Sequence, residues 1–260
     1  TDDSLKTILD GLSWLGIASD GEPVFQSQNE EAHKKAVEQL LASGHAYYAY
    51  ETPEEIDVMR KEALAAKRRV HYNRELTAEQ VAAFEAEGRA KVVRFRVPDG
   101  DTVWTDKIRG VQRWGNVEIE DFVVARSDGS PVYNLAVAVD DHNMGVTLVL
   151  RGADHLSNTP KQIMLFDALG WDVPEYGHST LILGNDGSKL SKRHGATTVT
   201  EYQEQGFLPE TLFNFLALLG WSSGDEREVF SHDELVETFS LEGMHTRDTV
   251  FDLKKLTWLN

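Results

Sequence analysis

The sequence contains no cysteine, which excludes disulfides and thiolate metal sites and suits a reducing compartment such as the cytoplasm. It also lacks the run of about 18 apolar residues that a membrane-spanning helix needs. Its start, Thr1-Asp2-Asp3-Ser4, offers neither a basic region nor an apolar signal core. No initiator Met precedes Thr1, the pattern expected of a fragment. Positive charge is scarce: 26 Lys and Arg stand against 43 Asp and Glu, a net charge of −17. Such a surface does not bind nucleic acid indiscriminately, so any contact of that kind has to be local. Neither Gly-x-x-x-x-Gly-Lys-Ser/Thr nor Gly-x-Gly-x-x-Gly occurs, which removes the P-loop and the dinucleotide fingerprint.

What remains is a globular chain of 260 residues, 41% hydrophobic and 9% aromatic, large enough for one big or two modest domains. Its cations gather at two places. One is residues 184–196, which the apolar run Thr180-Leu181-Ile182-Leu183, predicted as a buried strand, precedes and in which Asn185-Asp186-Gly187 predicts a turn. Lys189, Leu190, Ser191, Lys192, Arg193 and His194 follow, a cation-dense loop at a sheet edge. Such a loop is either a solvated basic turn or a seat for a polyanion.

The order Lys189-Leu190-Ser191-Lys192-Arg193 resembles the Lys-Met-Ser-Lys-Ser signature of class I aminoacyl-tRNA synthetases, in a form common among bacterial glutamyl-tRNA synthetases. The resemblance extends over essentially the whole chain. It includes residues 11–16, 23–27 and 46–55, the stretch 121–155 with Arg151-Gly152-Ala153-Asp154-His155, and residues 206–216 and 251–256. It implies an α/β fold: a Rossmann-like core (residues 1–55 and 123–199) carrying an inserted α/β acceptor-binding subdomain (56–122), then a helical stem-contact region (200–260). It also implies a preceding segment with a His-Ile-Gly-His type motif and a following anticodon-binding region, neither of which is in this sequence.

Along the chain, residues 5–15 and 30–43 read as helices, the first with Leu5, Ile8, Leu9, Leu12 and Leu15 on one face. Zinc-ligating cysteines found in some relatives near residues 46–55 are replaced by Ala49 and Glu51, so no zinc is expected. Arg60, Lys61, Lys67, Arg68, Arg69, His71 and Arg74 form the second basic stretch, which is an exposed helix or, in the functional reading, a contact for tRNA phosphates at Lys67, Arg68 and Arg69. Residues 92–97, 104–110 and 117–122 read as strands of one small mixed sheet. Residues 146–150 read as a buried strand ending at Arg151, where open α/β sheets bind ligands. Asp140, Asp141 and His142, taken as neighbours on a strand, would point to opposite faces, which argues for structural roles rather than a shared metal. Thr159-Pro160 opens a helix to Leu169 that links two parallel strands, and residues 200–260 read as helical.

From the resemblance, Arg151 and Tyr133 would bind glutamate. Lys189, Leu190, Ser191, Lys192, Arg193 and His155 would bind ATP, with Lys189 and Lys192 also catalytic, and Val137 stands where some relatives carry Asn. The implied reaction joins L-glutamate to tRNA(Glu) through a glutamyl-adenylate, with Mg²⁺ on the phosphates and no protein metal site. The implied protein is a cytoplasmic monomer with no membrane partner. The alternatives are a glutamate-activating paralogue that modifies a tRNA base, and an inactive tRNA- or nucleotide-binding module.

Overall fold

The computed structural model describes residues 2–191 and 198–260; Lys192 and Arg193 lie outside the described residues. Helix α1 (Asp2–Trp14) stops at Gly16, whose φ of 74° lets the amides of Gly16 and Ile17 reach back to Ser13 and Leu12. Its expected apolar face is not what it buries: Leu15 is covered, but Ile8 is 59% exposed. The reason is Gly11, where a Cβ would stand 3.2 Å from Val199 Cβ. This close approach seats α1 against the carboxyl-terminal helices by its end rather than by its stripe.

Helix α2 (Glu30–Ala42) buries His33, Ala36 and Leu40. It packs on an antiparallel sheet ordered β1 (Ala46–Ala49), β2 (Val92–Phe95), β5 (Val123–Ala125). Between β1 and β2 run α3 (Pro53–Ala65) and α4 (Ala78–Ala86), each opened by a capping box, on Thr52 with Glu55 and on Thr77 with Gln80. A second sheet is ordered β4 (Gly110–Gly115), β3 (Asp101–Asp106), β7 (Glu175–Ser179), β6 (Leu148–Gly152). Strands β3 and β4 form an antiparallel hairpin, while β3, β7 and β6 run parallel. The strands expected to make one small sheet are therefore divided, β2 to the first and the β3–β4 hairpin to the second. Residues 117–122 form no strand; a 3₁₀ turn at Asn116–Glu118 takes up the first of them.

The largest correction lies at residues 133–143. They form helix α5 (Tyr133–Asn143), not a strand, because Leu135, Ala136, Ala138 and Val139 recur at helical spacing and all four are buried. The structural role expected of Asp140 stands on different grounds. From α5 it accepts hydrogen bonds from Gln26 (2.7 Å) and Asn29 (3.0 Å), and it meets the buried His33 imidazole at 3.0 Å. Helices α5 and α6 (Thr159–Leu169) enclose the main core with α2 and the first sheet, through Leu40, Phe95, Val124, Leu135, Leu165 and Phe166. Each such side chain, fully buried, contributes roughly 1.5–3 kcal/mol.

The β6–α6–β7 unit is the expected parallel crossover. Strand β6 is less buried than expected, with Leu150 45% exposed, because among the described residues it pairs only with β7 and forms a sheet edge. The run before the basic loop is also shorter and half-buried: β8 (Ile182–Leu183) pairs in parallel with β9 (Thr249–Val250). That pairing places a strand inside a region expected to be wholly helical. The helices there are α7 (Val199–Glu204), α8 (Pro209–Leu218), α9 (His232–Thr238) and α10 (Leu253–Leu259), and Leu15 of the first helical segment joins Tyr202, Leu212, Phe215 and Leu256 in their core. Among the described residues no helix is long and apolar enough to cross a membrane.

Candidate active site

The site grows from the carboxyl end of β6. Arg151 is in register with His178 on β7, so their side chains leave the sheet together. Arg151 Nε donates to His178 Nε2 at 3.2 Å and its Nη2 donates to Thr159 Oγ1 at 2.9 Å. The guanidinium also lies 5.4 Å from the Tyr176 ring centroid. Behind His178, its Nδ1 meets Asp106 Oδ2 at 2.5 Å. The other Asp106 oxygen accepts the backbone amides of Ile108, Arg109 and His178 at 3.0–3.1 Å.

These contacts set the charges. Burial pushes the His178 imidazole below its ordinary value, and the nearby Arg151 and Arg109 add to this against the pull of Asp106. Burial would raise Asp106, yet the His178 hydrogen bond and the three amides outweigh it and hold the carboxyl below its ordinary value. The stable arrangement is an Asp106 carboxylate facing a neutral His178 whose proton sits on Nδ1.

After Gly152 the chain coils through a 3₁₀ segment, Ala153–Asn158, and enters α6 at Thr159 and Pro160. The remaining expected residues among those described lie on that coil or next to residues tied to it. The Tyr133 hydroxyl, at the first turn of α5, lies 3.2 Å from His155 Nδ1, with the rings 5.7 Å apart. From the far side, Lys189 Nζ reaches Asp154 Oδ2 at 2.5 Å, and this hydrogen bond holds Asp154 below its ordinary value. Lys189 is placed by a tight turn in which Gly187 has a φ of 75°, Gly184 N–H donates to Ser188 O and Leu190 N–H to Ile182 O. Residues 151–155 thus form a ledge to which Tyr133 is tied at His155 and Lys189 at Asp154, with Leu190 and Ser191 continuing from Lys189. The ledge is open, Tyr133 being 44% exposed. A guanidinium, a phenol–imidazole pair and an ammonium on one ledge suit a ligand with two anionic ends.

The second basic stretch is divided by the fold. Lys67 and Arg68 are exposed beyond the end of α3, where Lys67 takes a left-handed φ of 50°. Arg69 turns inward, 3.8 Å from the buried Asp121 carboxylate, which Arg74 grips with two hydrogen bonds at 2.7 and 2.8 Å. Arg60 pairs with Glu120. Much of this charge is therefore engaged in holding the strand connections.

The sequence offered no sign of Asp106, Thr159 or His178 as site residues. Asp106 and His178 are 72 residues apart, and only the β3–β7 pairing joins them.

The model of the tRNA synthetases class I (E and Q), catalytic domain, matches residues 1–258. The chain belongs to this synthetase family. It is 48% identical over 270 residues to a glutamate–tRNA ligase of Carboxydothermus hydrogenoformans, with 99% of this chain and 56% of that protein aligned. It is 45% identical over 263 residues to one from Dechloromonas aromatica, with 100% and 56% aligned. This synthetase chain thus spans a little over half the length of the curated relatives it matches. A crystal structure of a glutamate tRNA ligase from Elizabethkingia meningosepticum in complex with its amino acid superposes with a TM-score of 0.86 at 32% identity, covering all of this chain and 59% of that one. The class I synthetase fold is accordingly that of this chain.

Proposed function

We propose that the protein ligates L-glutamate to tRNA(Glu) at the expense of ATP, through a glutamyl-adenylate. The observation that supports this most is that Lys189 is tied to Asp154 and Tyr133 to His155, both on the short segment that begins at Arg151. Arg151 and Tyr133 hold the side chain of glutamate, the guanidinium because its planar pair of N–H groups matches a carboxylate. Lys189, Leu190, Ser191 and His155 line the nucleotide, together with Lys192 and Arg193, which lie outside the described residues.

No protein nucleophile is needed. A glutamate carboxylate oxygen bonds to the α-phosphorus of ATP while the α–β P–O bond breaks, and pyrophosphate leaves. The terminal ribose hydroxyl of tRNA then attacks the acyl carbon, and AMP departs. The protein supplies alignment and charge, the ammonium groups of Lys189 and Lys192 stabilising the negative charge that builds on pyrophosphate. Mg²⁺ would accompany the phosphates of ATP and add to the charge stabilisation that Lys189 and Lys192 supply. Lys67 and Arg68 meet tRNA phosphates, while Arg69, expected to join them, is turned inward toward Asp121. The parts play as a split core of residues 1–55 and 123–199, an acceptor-binding insertion of 56–122 and a stem-contact region of 200–260, in a cytoplasmic monomer.

Glutamate-dependent exchange of pyrophosphate into ATP, with tRNA present, tests the reading. Lys189→Ala is expected to slow exchange by about 100-fold, the scale of losing one charge-stabilising donor. Exchange driven equally by another amino acid, or unaltered in Lys189→Ala, overturns it.

A further inference from the structure

The guanidinium of Arg151 has two ways of gripping a carboxylate: side-on through Nε and Nη2, or end-on through Nη1 and Nη2. The side-on edge is already taken, Nε by His178 and Nη2 by Thr159. Both partners are inaccessible to solvent, each with 0% exposure, and Thr159 Oγ1 lies 3.0 Å from His178 Nε2. The hydroxyl can therefore accept from Arg151 Nη2 and share with Arg151 Nε–H the one lone pair at His178 Nε2. Behind them Asp106, 2% exposed, fixes which imidazole nitrogen keeps the proton. Arg109 pins the backbone of the same turn, its Nε donating to His178 O at 3.0 Å. Among the described residues the hydrogen bonds of the guanidinium run from Nε and Nη2, on its side-on edge.

We propose that Asp106, His178 and Thr159 are positioning residues that hold Arg151 by its side-on edge and present the end-on fork to the substrate's carboxylate. The inference rests on the reading of Arg151 as the carboxylate-binding residue. The chemistry is one of tautomers. With a carboxylate at Nδ1, the imidazole keeps its proton there and offers a lone pair at Nε2 to Arg151. An amide at Asp106 would retain the oxygen that serves the three backbone amides but turn an NH₂ toward Nδ1. The proton then moves to Nε2, two donors face each other, and Arg151 loses its hold.

The test is Asp106→Asn in the intact protein, with pyrophosphate exchange followed as a function of each substrate and the His178 ring nitrogens observed by ¹⁵N NMR. The expected result is a KM for glutamate raised about tenfold with the KM for ATP within about twofold, accompanied by movement of the proton to Nε2. A moved proton with an unchanged glutamate KM overturns the proposal. Thr159→Val and Thr159→Ser provide a second route if Asp106→Asn fails to fold: Val raises the glutamate KM severalfold and Ser restores it, whereas an unchanged KM in Val overturns the proposal. Arg151→Lys separates the two levels. If it leaves the glutamate KM unchanged, the role of Arg151 itself is wrong; if it raises that KM while Asp106→Asn and Thr159→Val do not, only the positioning chain is wrong.

Discussion

The ammonium of Lys189 is bonded at 2.5 Å to Asp154, a residue on the same coil that follows Arg151, so the turn after β8 is latched to the ledge by an ion pair. The pair is exposed, the Lys189 side chain by 65% and that of Asp154 by 35%. Its net worth is therefore small, about 0.2–1 kcal/mol.

If Lys189 holds a phosphate as proposed, that group and Asp154 compete for the same ammonium. Asp154→Asn should lower the KM for ATP about two- to fivefold, the equivalent of that small pair energy. Substrate-dependence curves for pyrophosphate exchange check this. A raised KM would mean that Asp154 serves the nucleotide directly.

Asp121 is the most heavily used buried carboxylate outside the site. It accepts from Tyr47 at 2.7 Å, from Arg74 twice and from the Val97 amide at 3.0 Å, joining the first sheet to the chain after α3. Asp121→Ala strands a half-buried guanidinium and a buried phenol, and should cost about 3–5 kcal/mol in urea unfolding.

Acid should weaken the fold in two ranges. His178 is depressed below 6.5, chiefly by burial, so the unfolded chain binds the extra proton; the stability this group confers is complete above pH 6.5 and is lost as pH falls through its lowered value. Asp106 and Asp121 are held below 3.8 because hydrogen bonds outweigh burial, so their contribution is present above pH 3.8 and is lost as pH falls through those lowered values. Unfolding free energy measured from pH 8 to 3 should fall below pH 6.5 and then again below about pH 4, and His178→Gln should remove the first decline.

Two backbone positions carry opposite expectations. Lys67 closes α3 in the left-handed region at φ 50°, with its own amide and that of Arg68 bonded back to Leu64 and Ala63, the seat usually held by glycine. Lys67→Gly should stabilise the chain by about 1 kcal/mol and raise the melting temperature. At Gly243 a Cβ would stand 2.4 Å from Trp221 Nε1 and 2.5 Å from Ser222 O, so Gly243→Ala must move backbone. A loss of about 1–3 kcal/mol is expected in the same thermal measurement.

Local chemistry made much of the fold legible. The helix starts at Ser231 and Asp252, the Pro160 start and Gly170 end of α6, and the β6–α6–β7 crossover all follow from residues near one another in sequence. Where an apolar run fits two periods, local chemistry fails: residues 136–139 alternate Ala and Val, and burial of Leu135 and Val139 in the main core selects the helix. The division of the strands between residues 92 and 115 over two sheets, and the burial of Leu15 rather than Ile8, likewise depend on partners far along the chain.

The same boundary runs through the site. The sequence by itself determined the chemical inventory, Arg151 and His155 on one short stretch and Lys189 after a glycine turn, because those patterns are contiguous. Only the tertiary structure decided that Asp154 would receive Lys189 and that Asp106 and His178 would back Arg151. The reason is physical: strand pairing brings together side chains from opposite ends of long crossovers, and burial then determines which of them keep a proton.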